Sequence, residues 1–366
     1  LLKFDVIRDK IPVNSVDAAY MVTPTIGLIR FNNFAQTTHK EIVEAIKKLQ
    51  AQGMKDLIID LQQNGGGYLQ AAAEIASEFL PKNDLIVYTR GRRAPSQEFR
   101  STGGGLFTEG KIAILVDEYS ASASEILAGA IQDQDRGIVV GRRTFGKGLV
   151  QRPIDMPDGS MIRLTVSKYY TPSGRCIQKP YEKGDKLGYA KDVINRYNKG
   201  ELTHADSIHF PDSLRYQTLR KKRTVYGGGG IMPDIFVPSD TTGYTSYYEE
   251  ANLRGLLSLF IFHYTDRHRK TLNGQNDFQS TVTWLEKQNL VNAFADYAEA
   301  NGLKKRPRMI RTSYNVIQRY IITGILRDLY SPEKAIIYSA QSDVTIQRAS
   351  RVIKEGHAFP QPPTAK

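Results

Sequence analysis

Buried-strand runs alternating with helical patterns constrain this chain more than anything else in it. Asp56-Leu57-Ile58-Ile59-Asp60-Leu61 and Lys111-Ile112-Ala113-Ile114-Leu115-Val116-Asp117 are nearly continuous apolar runs of strand length. Gly137-Ile138-Val139-Val140 is a shorter one. Such runs suit strands covered on both faces, the condition of parallel sheets. Between and around them lie helical patterns: Ile42, Val43, Ile46 and Leu49 mark one face over Thr38 to Gln52, closed by Gly53. An alanine-rich helix is expected from Tyr68 to Leu80, and another from the Ser120–Ser124 segment through about Gln134. Repetition of this unit predicts an α/β layered fold with parallel pairing.

Around that core the pattern predicts further strands at Phe4-Asp5-Val6-Ile7, at Leu85–Thr89 and at Leu149–Pro153. Met161–Tyr170 alternates apolar and polar residues, as a strand with one solvated side does. Residues 180–223 are charged and loop-rich without clear periodicity, and read as an insertion before strand-like sequence resumes at Val225–Val237. Beyond Tyr244 the pattern is helical: Ile317, Tyr320, Ile321, Ile325 and Leu329 share one side, and Ser331-Pro332 pairs an N-cap with proline at the first helical position. The expected organisation is a short leading segment at 1–13, a core at 14–240, a helical region at 241–356 and a frayed tail at 357–366.

Composition excludes several classes. With 40% hydrophobic and 24% charged residues, the 366-residue chain has ordinary globular usage, which rules out a collagen or a coiled-coil rod. No apolar run approaches the ~20 residues of a membrane-spanning helix. A single cysteine, Cys176, rules out an internal disulfide framework and a cysteine-rich zinc site. The 50 Lys and Arg against 38 Asp and Glu give a net charge of +12. The basic clusters at 90–93, 220–223 and 304–308 lack interleaved aromatic residues, so they read as solvated faces and not as a nucleic-acid platform. The chain starts Leu1-Leu2 without an initiator methionine, which suggests a fragment or processed form.

Chemistry is expected where the buried strands end. Tyr119-Ser120-Ala121-Ser122-Ala123-Ser124-Glu125 lies where a strand turns into a helix. There, free N–H groups and the positive end of the helix dipole favour a serine nucleophile with an oxyanion holder beside it. Ser122-x-x-Glu125 is equally a capping box that starts a helix with no chemistry. Gly141-Arg142-Arg143-Thr144-Phe145-Gly146-Lys147-Gly148 matches a phosphate loop up to the lysine, but Gly148 stands where Ser or Thr would hold magnesium. It also runs into strand and not helix. Lys147 reads as a solvated turn lysine or as a general base, a role that needs desolvation, for which Phe145 offers an apolar wall. Asn64-Gly65-Gly66-Gly67 is an ordinary loop or an N–H nest for an anion. The six histidines lie outside these motifs, and no pair has metal-ligand spacing.

Taken together and in order, these segments resemble the carboxy-terminal processing, or tail-specific, serine peptidases. The resemblance rests on Ser120–Ile126, Thr144–Gly148 with Val150-Gln151, Asp60-Leu61 with Asn64 and Gly66-Gly67, Tyr170–Arg175 and Gly230-Ile231-Met232-Pro233-Asp234, and covers roughly residues 10–240. It implies a crotonase/ClpP-like core with an added helical region, and a Ser–Lys dyad. The family's spacing of 25 residues between nucleophile and lysine selects Ser122, with Lys147 as base. Gln151 would orient the lysine, and the oxyanion hole would combine the N–H of Ala123 with that of Gly66 or Gly67. The resemblance further implies no metal or cofactor, protein or peptide substrates with accessible C-termini, no nucleic-acid partner, and a bacterial periplasmic or cell-envelope location.

Two departures stand out. Gln62 occupies a position where the family generally has arginine. Of the PDZ domain that usually precedes the core, only residues 1–13 would remain, as a last strand and exit linker. The insertion and the helical region are candidates for a lid, a homo-oligomer interface or a substrate cradle. The alternatives to a peptidase are a non-catalytic peptide-binding scaffold that kept the fold and an acyl-CoA enzyme of the same broad architecture.

Overall fold

The apolar runs form the parallel heart of a six-stranded sheet in a computed structural model that describes residues 3–9, 14–182 and 184–356. Strands β1 (Val16–Met21) and β2 (Ile26–Phe31) pair antiparallel at one side. Helix α1 (Thr38–Ala51) leads to β3 (Asp56–Asp60), and helix α2 (Leu69–Ser77) follows. Strands β4 (Leu85–Arg90) and β5 (Gln97–Arg100) start a second sheet before β6 (Ile112–Val116) returns to the first. Helix α3 (Ala123–Asp133) and β7 (Ile138–Gly141) come next. Strands β8 (Leu149–Asp155) and β9 (Met161–Tyr170) then form a hairpin. After helix α4 (Lys186–Asn198) come β10 (Arg215–Gln217), β11 (Thr224–Tyr226) and β12 (Ile235–Phe236).

The large sheet has the order β1-β2-β3-β6-β7-β12, parallel from β2 onward. The second is antiparallel, β5-β4-β9-β8, and β10-β11 stand as a separate pair. Every residue of β6 is buried, as the unbroken apolar run requires of a strand covered on both faces. Helix α3 is buried along its whole length, so its polar side chains must be paired. They are: Asp133 and Gln132 both accept from the fully buried Arg175 at 2.7 Å, and Gln132 donates to Met232 O and Asp234. The α/β layering expected from the sequence is therefore present, with the core formed by α1, α2 and α3 against the large sheet.

The chain packs as two compact units, the second comprising Leu202–Ala205 and Val237–Arg351. The C-terminal region is helical: α5 (Ser246–Leu253), α6 (Leu256–Arg267), α7 (Arg269–Asn273), α8 (Phe278–Glu286) and α9 (Leu290–Ala300). They are followed by α10 (Pro307–Thr312), α11 (Tyr314–Leu329), α12 (Pro332–Ala340) and α13 (Val344–Glu355). In α11, Ile317, Ile321 and Ile325 are fully buried on the face read from their spacing. Ser331 caps α12 by accepting from the Lys334 N–H.

Three expectations are corrected. Residues 3–9 are exposed and contain no strand: Val6 and Ile7 have no neighbouring strand to pair with, and an apolar dipeptide alone forms no ladder. The insertion is not merely loop, because it contains α4. That helix escapes periodicity because what it buries is Arg196, at 2% exposure, and not an apolar stripe. Finally, the first five residues of β9 are exposed on both faces, not one, since they pair only with the equally exposed end of β8. The expected tail at 357–366 lies outside the described residues.

Candidate active site

Helix α3, the loop between β7 and β8, and the glycine loop after β3 meet at one groove of about 560 Å³. Its walls include Gly65, Gly66, Gly67, Ser122, Lys147 and Gln151, with apolar surface from Ile126, Leu149 and Met161. All three motifs read from the strand ends thus converge, because β3, β6 and β7 are consecutive in the sheet and release their loops at the same edge.

Of the three serines, burial separates one. Ser120 is fully buried and donates to Leu61 O at 2.8 Å, and Ser124 is fully buried and donates to Asn64 O at 2.8 Å. Ser122 is half-buried and lines the groove. Its backbone is at φ 57 and ψ −112, a region L-residues avoid, at a cost of order 1–3 kcal/mol. The capping box is also present: Ser122 N–H donates to Glu125 Oε2 at 2.8 Å. The cap is therefore present without withdrawing Ser122 from the groove.

Glu125 does more than cap. Its fully buried carboxylate accepts from Ser122 N–H, from Thr144 Oγ1 at 2.5 Å, from Gly146 N–H at 2.8 Å and from Lys147 N–H at 2.9 Å. Burial pushes this carboxyl above its ordinary value, and the four hydrogen bonds oppose the shift. A second tie runs through Tyr169 on β9, whose single phenol O–H is shared between Lys147 O at 2.6 Å and Ser122 O at 3.0 Å. Burial pushes that phenol well above its usual range, so it stays a donor. One carboxylate and one phenol thus bind the main chains of Ser122 and Lys147 together. The sequence by itself marks Glu125 only as a cap and does not single out Tyr169. The spacing of Glu125 three residues after Ser122 is the available signal for the first; the second has none.

Asn64 joins the glycine loop to the serine turn. Fully buried, it accepts at its carbonyl from Ala121 N–H at 3.0 Å, donates through Nδ2 to Phe31 O at 2.8 Å, and accepts from Gly66 N–H at Oδ1 at 2.9 Å. The Gly66 N–H is therefore engaged, whereas those of Gly67 and Ala123 make no hydrogen bond among the described residues. Gly66 must be glycine: at φ +95 a Cβ there would lie 2.5 Å from Ala121 O and 2.7 Å from Ala123 N.

Lys147 is half-buried, and among the described residues no hydrogen bond joins its Nζ to Ser122 Oγ or to the exposed Gln151 amide. Phe145, expected as an apolar wall, is also engaged elsewhere. Its ring faces the ammonium of Lys179, 3.8 Å from the ring centroid. No histidine lines this groove among the described residues. His39 instead meets Glu78 at 2.8 Å.

The model for peptidase family S41 matches residues 25–188, and a family of unknown function, DUF8443, matches residues 247–331. A carboxyl-terminal-processing protease of Synechocystis sp. is 43% identical over 155 residues, covering 42% of this chain and 36% of that protein. The carboxy-terminal-processing protease of Bartonella bacilliformis is 34% identical over 250 residues, covering 65% of this chain and 54% of its own length. Among solved structures, the photosystem II D1 C-terminal processing protease is 31% identical, with a TM-score of 0.41 over 47% of each chain. The chain thus spans between about a third and about a half of the curated relatives it matches.

Proposed function

We propose that this chain, whose residues 25–188 match the model for peptidase family S41, is a serine endopeptidase that cleaves protein substrates near their C-termini with a Ser122–Lys147 dyad. The observation that carries the reading is the groove shared by Ser122, Lys147 and the glycine loop, with both main chains tied by Glu125 and Tyr169. In this scheme the Lys147 amine takes the Ser122 proton as Oγ attacks the scissile carbonyl. The oxyanion forms against the N–H of Ala123 and, because Asn64 already engages Gly66, against that of Gly67. The Lys147 ammonium then protonates the leaving amine, and water releases the acyl group with Lys147 again as base. Gln151, on the groove wall, would orient the amine once the side chains close.

The groove suits a peptide, since its walls combine apolar surface from Leu69, Ile126 and Leu149 with polar groups from Gln151 and Arg163. We assign catalysis to residues 14–240 and place the protein in the bacterial periplasm or cell envelope, as read from the family resemblance. Fractionation of the source cells tests the location.

Ser122→Ala and Lys147→Ala should each abolish cleavage of casein and of a peptide with a free C-terminus, with unchanged circular dichroism. Wild type should take a fluorophosphonate label at Ser122. Near-normal turnover by Lys147→Ala would refute the dyad. The lack of a Ser122 Oγ–Lys147 Nζ hydrogen bond favours one rival, a peptide-binding scaffold without activity. A wild-type protein that binds peptide but neither cleaves nor labels would establish that rival.

A further inference from the structure

We propose that Lys179, together with the stretch from helix α4 to Glu201, forms a clamp that positions Lys147, with Arg196 and Lys179 as its positioning residues. The inference rests on the dyad reading above.

The loop 142–148 is held on one side by Glu125, which receives Thr144, Gly146 and Lys147. The same loop is held on its other side by side chains from this segment. Arg196, almost fully buried, donates from Nη1 to Thr144 O at 3.0 Å and from Nη2 to Arg143 O at 2.5 Å. Two consecutive carbonyls of the loop are thereby fixed by one planar guanidinium, a fork that lysine cannot reproduce. Glu201 anchors the arrangement, 2.5 Å from Arg143 Nη2 and 3.5 Å from Arg196 Nε.

Lys179 grips the next two residues. Its N–H donates to Gly146 O at 2.9 Å, and its ammonium sits 3.8 Å from the Phe145 ring centroid and 4.2 Å from that of Tyr189. The same ammonium donates to Asp192 Oδ2 at 3.0 Å and to Tyr189 O at 3.2 Å, both on α4. Next to it, Gln178 Oε1 accepts from Gly148 N–H at 2.8 Å. Every residue from Arg143 to Gly148 except Lys147 is therefore contacted from 178–201, and Lys147 itself is left to face the groove.

A buried guanidinium is costly unless it is paired, so a segment that spends one on two loop carbonyls is defining that loop's geometry. The general-base amine hangs from this loop, and a displacement of about 1 Å at a reacting group lowers turnover by roughly 100-fold.

The test uses the full chain. Arg196→Met keeps the apolar stem and removes both carbonyl contacts. It should lower kcat on a free-C-terminus peptide by roughly 10- to 100-fold with KM nearly unchanged, and slow fluorophosphonate labelling in parallel. Amide exchange at Gly146 and Lys147 should quicken, and Arg196→Lys should restore part of kcat. If Arg196→Met does not fold, Lys179→Met is held to the same readouts. Wild-type kcat, or a change confined to KM, with unaltered exchange at these two amides in a folded variant would overturn the clamp. Should wild type itself neither cleave nor label, the dyad reading fails. The exchange comparison then still decides whether the segment holds the loop.

Discussion

Replacing Glu125 with glutamine tests whether one buried carboxylate organises the site. Oε2 accepts from Ser122 N–H and Lys147 N–H, and Oε1 from Thr144 Oγ1 and Gly146 N–H. An amide nitrogen must face one of these pairs. The cheaper choice turns it to Thr144, whose hydroxyl can reverse and accept even though it already receives Ile231 N–H at 2.6 Å. The Gly146 N–H is then left without an acceptor in a buried position. An orphaned donor costs about 1–3 kcal/mol, and two bonds reduced from charge-assisted to neutral lose about 1 kcal/mol each. Relief from burying a charge offsets part of this, so the net loss should be about 2–4 kcal/mol. For a protein of this size that lowers Tm by about 3–5 °C.

The same variant carries a pH signature. Burial raises the folded Glu125 carboxyl above its unfolded value, so between the two values the native state binds more protons than the unfolded state. The group's contribution to stability therefore declines as pH rises through that window, and glutamine, which does not titrate, removes the decline. Calorimetry across mildly acidic to neutral pH and peptide kinetics at neutral pH are the assays. Turnover should fall roughly 100-fold, because Gly146 precedes Lys147, the proposed base. A Glu125→Gln protein melting within about 2 °C of wild type and cleaving at full rate would refute the assignment of Glu125 as organiser.

Two further substitutions probe the neighbours. Gly66→Ala puts a methyl within 3 Å of the Ala121 and Ala123 backbones at φ +95, and should lose about 3 kcal/mol or more of stability together with activity. Gly65→Ala, with nothing within 4 Å of its Cβ, should be nearly neutral; equal melting temperatures for the two variants would contradict the packing argument. Tyr169→Phe removes the phenol shared by Ser122 O and Lys147 O, and should cost about 1–2 kcal/mol by denaturant titration and lower kcat more than it raises KM. A change in KM alone would argue that Tyr169 is only groove wall.

Much of this molecule is legible without coordinates. Strands β3, β6 and β7 declare themselves because a strand covered on both faces needs an apolar residue at nearly every position, and helices α1 and α11 because one face repeats every turn. The strand-end motifs that carry Ser122 and Lys147 are legible as turns after buried strands, and the structure brings both residues to one groove. Helix α4 and the exposed part of the β8–β9 hairpin are harder to read, since neither has the apolar signature that periodicity detects: one buries an arginine and the other is exposed on both faces.

What the chain alone determines is local: which segments are strand or helix, where they turn, and which serine and lysine stand at the turns. Tertiary structure decides the partners. Glu125 meets Gly146 and Lys147 across 21 and 22 residues, Asn64 meets Ser124 across 60, and Arg196 meets Thr144 across 52. It also decides that Asn64 engages the Gly66 N–H and that Phe145 turns its face to Lys179. Periodicity reports burial over a few neighbouring residues, whereas a buried polar group takes whichever donor or acceptor the packed chain brings within about 3 Å.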